Sequence, residues 1–417
     1  KPLDPGCVVG IADGHQPVRI WREPERWRQE REQQFPGRER FWQLCQRLHA
    51  SNWAFAARRP VLPPRNGWDL NQLLGAIGPG NVLSGLLTAA TVADLLRLCG
   101  CSGPRHQRLR RFLDLQLKLY SQEPADRTAA LYGVTVLAMV QEPLGLWHLH
   151  GSMQALSNSL ERALHQAGGE LRLRHRVETL QATNDGWHVQ GIGPKGQSFS
   201  IGATDVVCSL PPQSLPNLLG DQMPTGLQRR VEGLGDPSGA LVLYGAVARD
   251  ALPADCPSHL QLDWQQPGSL FISISQEGDG RAPAGQATVI ASVFTSAKCW
   301  FELEPAAYTT AKAEAQQGIE AGLKQLLGLQ DSHWLHRELA TPRGFARWTG
   351  RPFGFVGGIG QAPDRFGPFG LASRSPLAGL WLCGDAIYPG EGTAGVSLSA
   401  EMAVRQLLAQ RNEGRTA

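Results

Sequence analysis

The sequence predicts an α/β protein with an α+β portion, on three observations. The stretch Gly379–Leu408, "GLWLCGDAIYPGEGTAGVSLSAEMAVRQLL", reads as a short apolar strand, a glycine-rich turn and a helix. Between Gly151 and Pro212 the pattern runs helix, strand, β-meander and a final apolar strand. Between Gly239 and Phe294 four β-rich runs follow one another, as in an antiparallel sheet.

Composition fits that class. The 417 residues are 42% hydrophobic and 18% charged, an ordinary folded chain with room for a large core. Gly (48) and Pro (29) are abundant, which predicts many turns and close backbone approaches. A net charge of +3 gives no footprint for nucleic acid, so none is expected as a partner. The eight cysteines form no CxxC pair and no Cys/His set of zinc spacing, so no metal is expected. Cys99 and Cys101 in "LCGCSG" read as buried thiols in a reducing compartment rather than as a redox pair.

From the N-terminus, Lys1–Trp21 predicts two strands joined at "ADG". Glu23–Ser51 is helical, with Trp27, Phe35, Phe41, Leu44 and Leu48 at helical spacing. Asn66–Gln141 is mostly helical, with breaks at Gly78-Pro79 and Gly103-Pro104. Leu70–Ala93 carries no charge, but Gly78-Pro79-Gly80-Asn81 interrupts it, so it predicts two surface helices before a membrane hairpin. Arg108–Tyr120 mixes helical and alternating leucines and is assigned as helix from its neighbours. The cluster Arg105, His106, Arg108, Arg110 and Arg111 is expected on a solvated face, which would also suit an anionic lipid surface.

Met153, Leu156, Leu160, Ala163 and Leu164 share one helical face, and Gly168-Gly169 stop that helix. A strand is expected through Leu171, Leu173 and Val177, then turns at Asn184-Asp185-Gly186 and Lys195-Gly196, and a strand at Asp205–Cys208. "ALVLYGAVA", "HLQLDW", "SLFISISQ" and "ATVIASVF" form the sheet, and Tyr308–Leu327 an amphipathic helix. Ala340–Gly370 is a Gly/Pro/aromatic connection leading to the closing motif.

In that motif the strand "LWLC" delivers Gly384-Asp385, and the helix is expected from about Val396. Unpaired N–H groups at a helix start favour anionic or electron-rich ligand atoms. The glycines of "PGEGTAG" let backbone approach a planar ring, and Asp385 can accept hydrogen bonds from ligand hydroxyls. A strand–turn–helix with capping glycines and no ligand is the other reading of this string.

Taken together the stretches resemble the FAD-dependent desaturase/isomerase family of carotenoid biosynthesis, the phytoene-desaturase-like branch of the amine-oxidase flavoprotein superfamily. "GLxLxGDxxxPGxGxxGxxxSxxxA" covers Gly379–Ala403, "GxMxxLxxxLxxAL…GGxLxLxxxVxxL" covers Gly151–Leu180, and "TPRxFxRWTGRxxGxxGG" covers Thr341–Gly358. Among its members the cyanobacterial C-3',4' desaturases and carotenoid isomerases are the nearest in pattern. Two features depart from it: Gly151-Ser152 replaces the usual Gly-Gly, and no initial strand with a GxGxxG loop is found, so an N-terminal segment is expected to be missing.

The resemblance implies a Rossmann-like FAD/NAD(P)-binding domain lacking its first βαβ unit, beside an antiparallel-sheet and helical substrate domain. It implies this order: 1–65 an N-terminal remnant and the start of the substrate domain, 66–145 a helical substrate or membrane-facing part, 146–212 a second FAD-binding segment, 213–345 the substrate sheet, and 346–410 the closing FAD-binding segment. The implied cofactor is FAD. Val177 would hold the adenine through its main chain, Asp385 with Gly384 the ribityl or pyrophosphate region, and Gly392, Thr393, Ala394, Gly395 and Val396 the isoalloxazine end.

The implied activity is desaturation, or else isomerisation, of a hydrophobic polyene (carotenoid), with peripheral membrane contact on the cytoplasmic side and no signal peptide visible. No catalytic residue and no oligomeric state is assigned. Two other functions stay open. An amine oxidase is disfavoured by Glu391-Gly392-Thr393, which places no aromatic residue before the helix, although Tyr388 lies close. A non-catalytic isoprenoid or lipid carrier of the GDP-dissociation-inhibitor type is disfavoured by the intact "GDxxxPGxGxxG" turn.

Overall fold

The computed structural model describes residues 1–236 and 238–416. The N-terminal strands β1 (Cys7–Gly10) and β2 (Val18–Ile20) form the expected antiparallel pair. Two helices follow, α1 (Pro24–Gln34) and α2 (Glu39–Ala57). Pro24 opens α1, and the Glu23 carboxylate caps it by accepting from the N–H groups of Glu25 and Arg26. Trp27, Phe35, Phe41 and Leu48, all at the predicted spacing, are buried in one cluster with Trp42.

The helical layer continues with α3 (Gly67–Ala76), α4 (Pro79–Gly85), α5 (Val92–Leu98), α6 (Gln107–Ser121) and α7 (Ala130–Ala138). α6 resolves the mixed leucine pattern: Leu109, Phe112, Leu113, Leu115 and Leu117 are all buried, so this helix is enclosed on more than one side. The basic cluster around its start is not a free cationic face. Arg108 pairs with Asp13, Arg110 with Asp114 and Asp126, and Arg111 with Asp263. Asp13, Asp126 and Asp263 come from outside the helix to pair with three of its arginines, which local pattern could not show, while Arg105 stays exposed.

α8 (Gln154–Gln166) forms where the helical face predicts, yet it has no buried residue, and Met153, Leu160 and Leu164 are exposed. Leu171 and Leu173 are not in a strand: β3 starts only at Arg176 and runs to Thr183, because no described strand lies beside the earlier residues to take their backbone hydrogen bonds. β3 pairs with β4 (Gly186–Ile192), which pairs with β5 (Ser198–Ala203), giving the expected three-stranded meander. β6 (Val206–Cys208) leads to the short helices α9 (Leu215–Leu219) and α10 (Thr225–Glu232).

The four apolar runs become β7 (Ser238–Ala248), β8 (His259–Leu262), β9 (Leu270–Ile274) and β10 (Gln286–Ser296). After α11 (Cys299–Glu302) and α12 (Pro305–Leu327) comes β11 (Trp334–Ala340). All lie in one seven-stranded sheet of order β11-β7-β10-β9-β8-β1-β2. It is mixed rather than wholly antiparallel, because β1 runs parallel to β8, with Val8 opposite Leu260. Ile319, Leu323 and Leu327 of α12 pack with Leu270, Ile272 and Val289 of the sheet.

The Gly/Pro-rich connection contains one further helix, α13 (Pro342–Thr349), closed by Gly350 in the left-handed region. β12 (Leu380–Leu382) pairs in parallel with β6, and all three of its residues are buried. α14 (Thr393–Thr416) closes the fold. All eight cysteines are free; of the pair expected to be buried, Cys101 is buried and Cys99 only half-buried. Among the described residues no helix is long and apolar enough to cross a membrane.

Candidate functional site

The β6–β12 pair fixes the root of the glycine turn. The Cys383 N–H donates to the Cys208 carbonyl at 3.0 Å, extending the parallel ladder up to Gly384. Ser399 on α14 then ties turn to helix, its hydroxyl accepting from the Gly384 N–H at 2.7 Å and donating to the Gly384 carbonyl at 3.2 Å. Both polar groups of a part-buried corner are thereby satisfied.

Asp385 stands at this corner. Its Oδ2 accepts from Nη2 of Arg351 at 2.8 Å, and the same Arg351 nitrogen donates to the Gly357 carbonyl at 3.0 Å. Nε of Arg351 is buried without a partner among the described residues. One carboxylate oxygen of Asp385 is therefore committed to the protein, and Oδ1 has no donor among the described residues.

The turn passes through a cis Tyr388–Pro389 bond to Gly392, whose φ of +88° suits glycine. α14 starts at Thr393, three residues before the predicted Val396. The turn geometry lets the chain enter the helix directly after Gly392. The first helical bond runs from the Val396 N–H to the Gly392 carbonyl at 3.0 Å. The N–H groups of Thr393, Ala394 and Gly395 have no acceptor among the described residues, and Gly392, Thr393 and Ala394 are exposed. Gly395 packs on the Gly390 carbonyl. Seven of the eight expected residues thus lie on one continuous element. The eighth, Val177, lies on β3 opposite Gly191 and packs against the core cluster that also holds Ala386 and Ile387.

Three residues that sequence reasoning missed complete the cluster. Oε2 of Glu391 accepts from Nε2 of Gln122 at 2.7 Å and from the Gly358 N–H at 3.1 Å. Gln122 ends α6 at a φ of +62°, and its Oε1 is buried without a partner among the described residues. Arg351 is the third. Burial pushes the Glu391 carboxyl up to about 7 and nearby Asp385 adds to this, while the two hydrogen bonds and Arg351 oppose it. Glu391 carried a signal, an acid between two glycines of the motif, but a charged turn residue ordinarily reads as solvated. Tyr388 does not flank the turn's exposed end: its ring packs on Phe366 at 5.8 Å, and Phe366 packs on Tyr132 at 5.8 Å.

With this geometry in place, comparison with known proteins decides the family. The sequence model described as "Flavin containing amine oxidoreductase" matches residues 84–408. The chain belongs to that family. This flavin oxidoreductase is 24% identical over 317 residues to prolycopene isomerase of Arabidopsis thaliana, covering 72% of this chain and 52% of the relative. It is 24% identical over 273 residues to that of Daucus carota, covering 62% and 43%. The chain spans about half the length of the relatives it matches.

Among solved structures, putrescine oxidase bound to putrescine superposes with a TM-score of 0.61 at 16% identity, covering 99% of this chain and 82% of that one. Cyclohexylamine oxidase from Brevibacterium oxydans superposes with a TM-score of 0.55 at 14% identity, covering 97% and 82%. At such identities the likeness establishes the fold.

FAD is the cofactor of this flavin oxidoreductase. The site residues fit its ring end: three unpaired N–H groups at the start of α14, open space on the Cβ side of Gly392, and the orphaned Gln122 Oε1 and Arg351 Nε close by. Among the described residues no second glycine-rich strand–turn–helix offers a cradle for the pyrophosphate.

Proposed function

We propose that this oxidoreductase introduces or isomerises C=C bonds in a carotenoid, with desaturation the leading reading and isomerisation next. The observation that carries the reading over amine oxidation is the turn itself. Glu391, Gly392, Thr393 and Ala394 set no aromatic ring at the helix start, and Tyr388 is committed to Phe366. Similarity to two prolycopene isomerases supports it.

Bound FAD supplies two-electron redox chemistry. Gly392 to Val396 would hold its ring end, with Asp385 and Gly384 at the adjoining region and Val177 towards the adenine. In a desaturation, adjacent carbons of the polyene lose one hydride equivalent and one proton; in an isomerisation no net electrons are exchanged. A hydrocarbon offers no polar handle, so this chain's own contribution is apolar enclosure and fixed orientation. Peripheral membrane contact is proposed through α3, α4 and the residues that end them, where Leu70, Leu74, Ile77, Val82 and Leu86 are exposed.

Amine oxidation is the second reading. It is favoured by the half-buried acid Glu391, which could pair with an ammonium group. The test is to reconstitute the protein with FAD and incubate it with acyclic carotenoids or with amines. New or rearranged double bonds support the first reading. Flavin bleaching by an amine alone supports the second, and polyene binding without FAD uptake would favour a carrier over both.

A further inference from the structure

Glu391 joins three segments distant in the chain: the C-terminal end of α6 through Gln122, the loop at Gly357-Gly358, and the glycine turn. Both donors converge on one oxygen. Nε2 of Gln122 and the N–H of Gly358 donate to Oε2, and Oε1 has no donor among the described residues. The packing around this pair is tight. A Cβ on Gly357, which sits at a φ of +78°, would lie 2.2 Å from Nε2 of Gln122 and 2.4 Å from Oε2 of Glu391, so only glycine fits beneath it.

A carboxyl held this way has one oxygen fixed as an acceptor and the other free to carry a proton. The groups facing it are Asp385 and Arg351 at the root of the turn, and Tyr132 from α7. Asp385 is already ion-paired with Arg351, which weakens the pull of that arginine on Glu391. Desolvation then dominates and favours the neutral acid.

We propose that Glu391 is the acid–base group of the site, its Oε2 clamped by Gln122 and Gly358 and its Oε1 holding the exchangeable proton. The role rests on the oxidoreductase reading above. For desaturation the group takes up the one proton that leaves carbon and returns it to solvent. For amine oxidation it takes the proton of a substrate ammonium. In either case one O–H bond forms as one C–H or N–H bond breaks, and Glu391 undergoes no net redox change.

The test begins without cofactor or substrate. Infrared titration of the full chain should show a protonated carboxyl band at pH 6 that disappears near pH 7 and is absent from E391Q. Q122L removes a hydrogen bond that favours the ionised form, so it should move the midpoint upward. The band's absence from the wild-type protein, or its persistence in E391Q, would overturn the assignment. In the FAD-loaded enzyme, E391Q should lower kcat by about 100-fold or more and remove the acid limb near pH 7 from its pH profile. An unchanged pH profile in E391Q would overturn the acid–base role while leaving the oxidoreductase reading standing. Absence of turnover on every polyene and amine would instead count against that reading, and the infrared titration would still decide the state of Glu391.

Discussion

Arg351 and Asp385 form a 2.8 Å ion pair across the root of the glycine turn, joining the loop after α13 to the turn after β12. Both side chains are largely buried, at 24% and 18% exposure, so the pair is only partly screened by solvent. Replacing Arg351 by Met should leave the largely buried Asp385 carboxylate without its cation. Thermal unfolding should report a loss of about 1–3 kcal/mol, and FAD titration a weaker dissociation constant. Wild-type stability in R351M would show that the pair contributes nothing.

A second prediction concerns Asp69, which is fully buried on α3. Its carboxylate accepts from Arg374 at 3.3 Å, from Nε2 of Gln406 at 2.9 Å and from the Arg65 N–H at 3.0 Å. It therefore ties the helical layer to α14 and to the segment before β12. Asp69→Ala removes the carboxylate partner of the part-buried Arg374 and should cost about 2–4 kcal/mol, measured by denaturant unfolding.

Stability should depend on pH through two groups of opposite sign. Glu391 has a folded value raised to about 7, so its ionisation opposes folding: stability is greatest below its unfolded value near 4.5 and falls as pH rises towards 7. His259 is lowered to about 4, first by burial and then by His148, so it costs stability as pH falls from 6.5 towards 4. The two slopes offset each other in the wild-type protein. In melts between pH 4.5 and 7, E391Q should become steeply less stable on acidification, and H259Q should become more stable. Parallel curves for all three proteins would contradict this.

Gly357 gives a fourth prediction. Because its added Cβ would overlap Gln122 and Glu391 at a positive φ, Gly357→Ala should destabilise by about 1–3 kcal/mol. Its infrared titration should also shift, since the Gln122 hydrogen bond must lengthen.

The exposed leucines of α3 and of the turn after α4 offer a fifth. Leu74 and Leu86 are 58% and 79% exposed, so L74S/L86S should change stability by under about 0.5 kcal/mol. If this face meets a bilayer, the double variant should lose co-sedimentation with phosphatidylcholine vesicles that the wild-type protein shows. Equal sedimentation of the two proteins would remove α3 and α4 from that role.

Local pattern determined most of the elements. Spacing of Trp27, Phe41 and Leu48 named the buried face of the first helices, β-branched runs named four strands of the large sheet, and the string from Gly379 named a strand, a turn and a helix. Each is decided by interactions within a few residues, so the sequence carried them alone. Tertiary structure decided the rest. The parallel pairing of β1 with β8, the neutralisation of Arg108 and Arg111 by Asp13 and Asp263, and the convergence of Gln122, Gly358 and Glu391 all join residues far apart in the chain. The motif placed Glu391 in a glycine turn, but only the fold removes water from its carboxyl and supplies two donors to a single oxygen, and those two facts set its protonation.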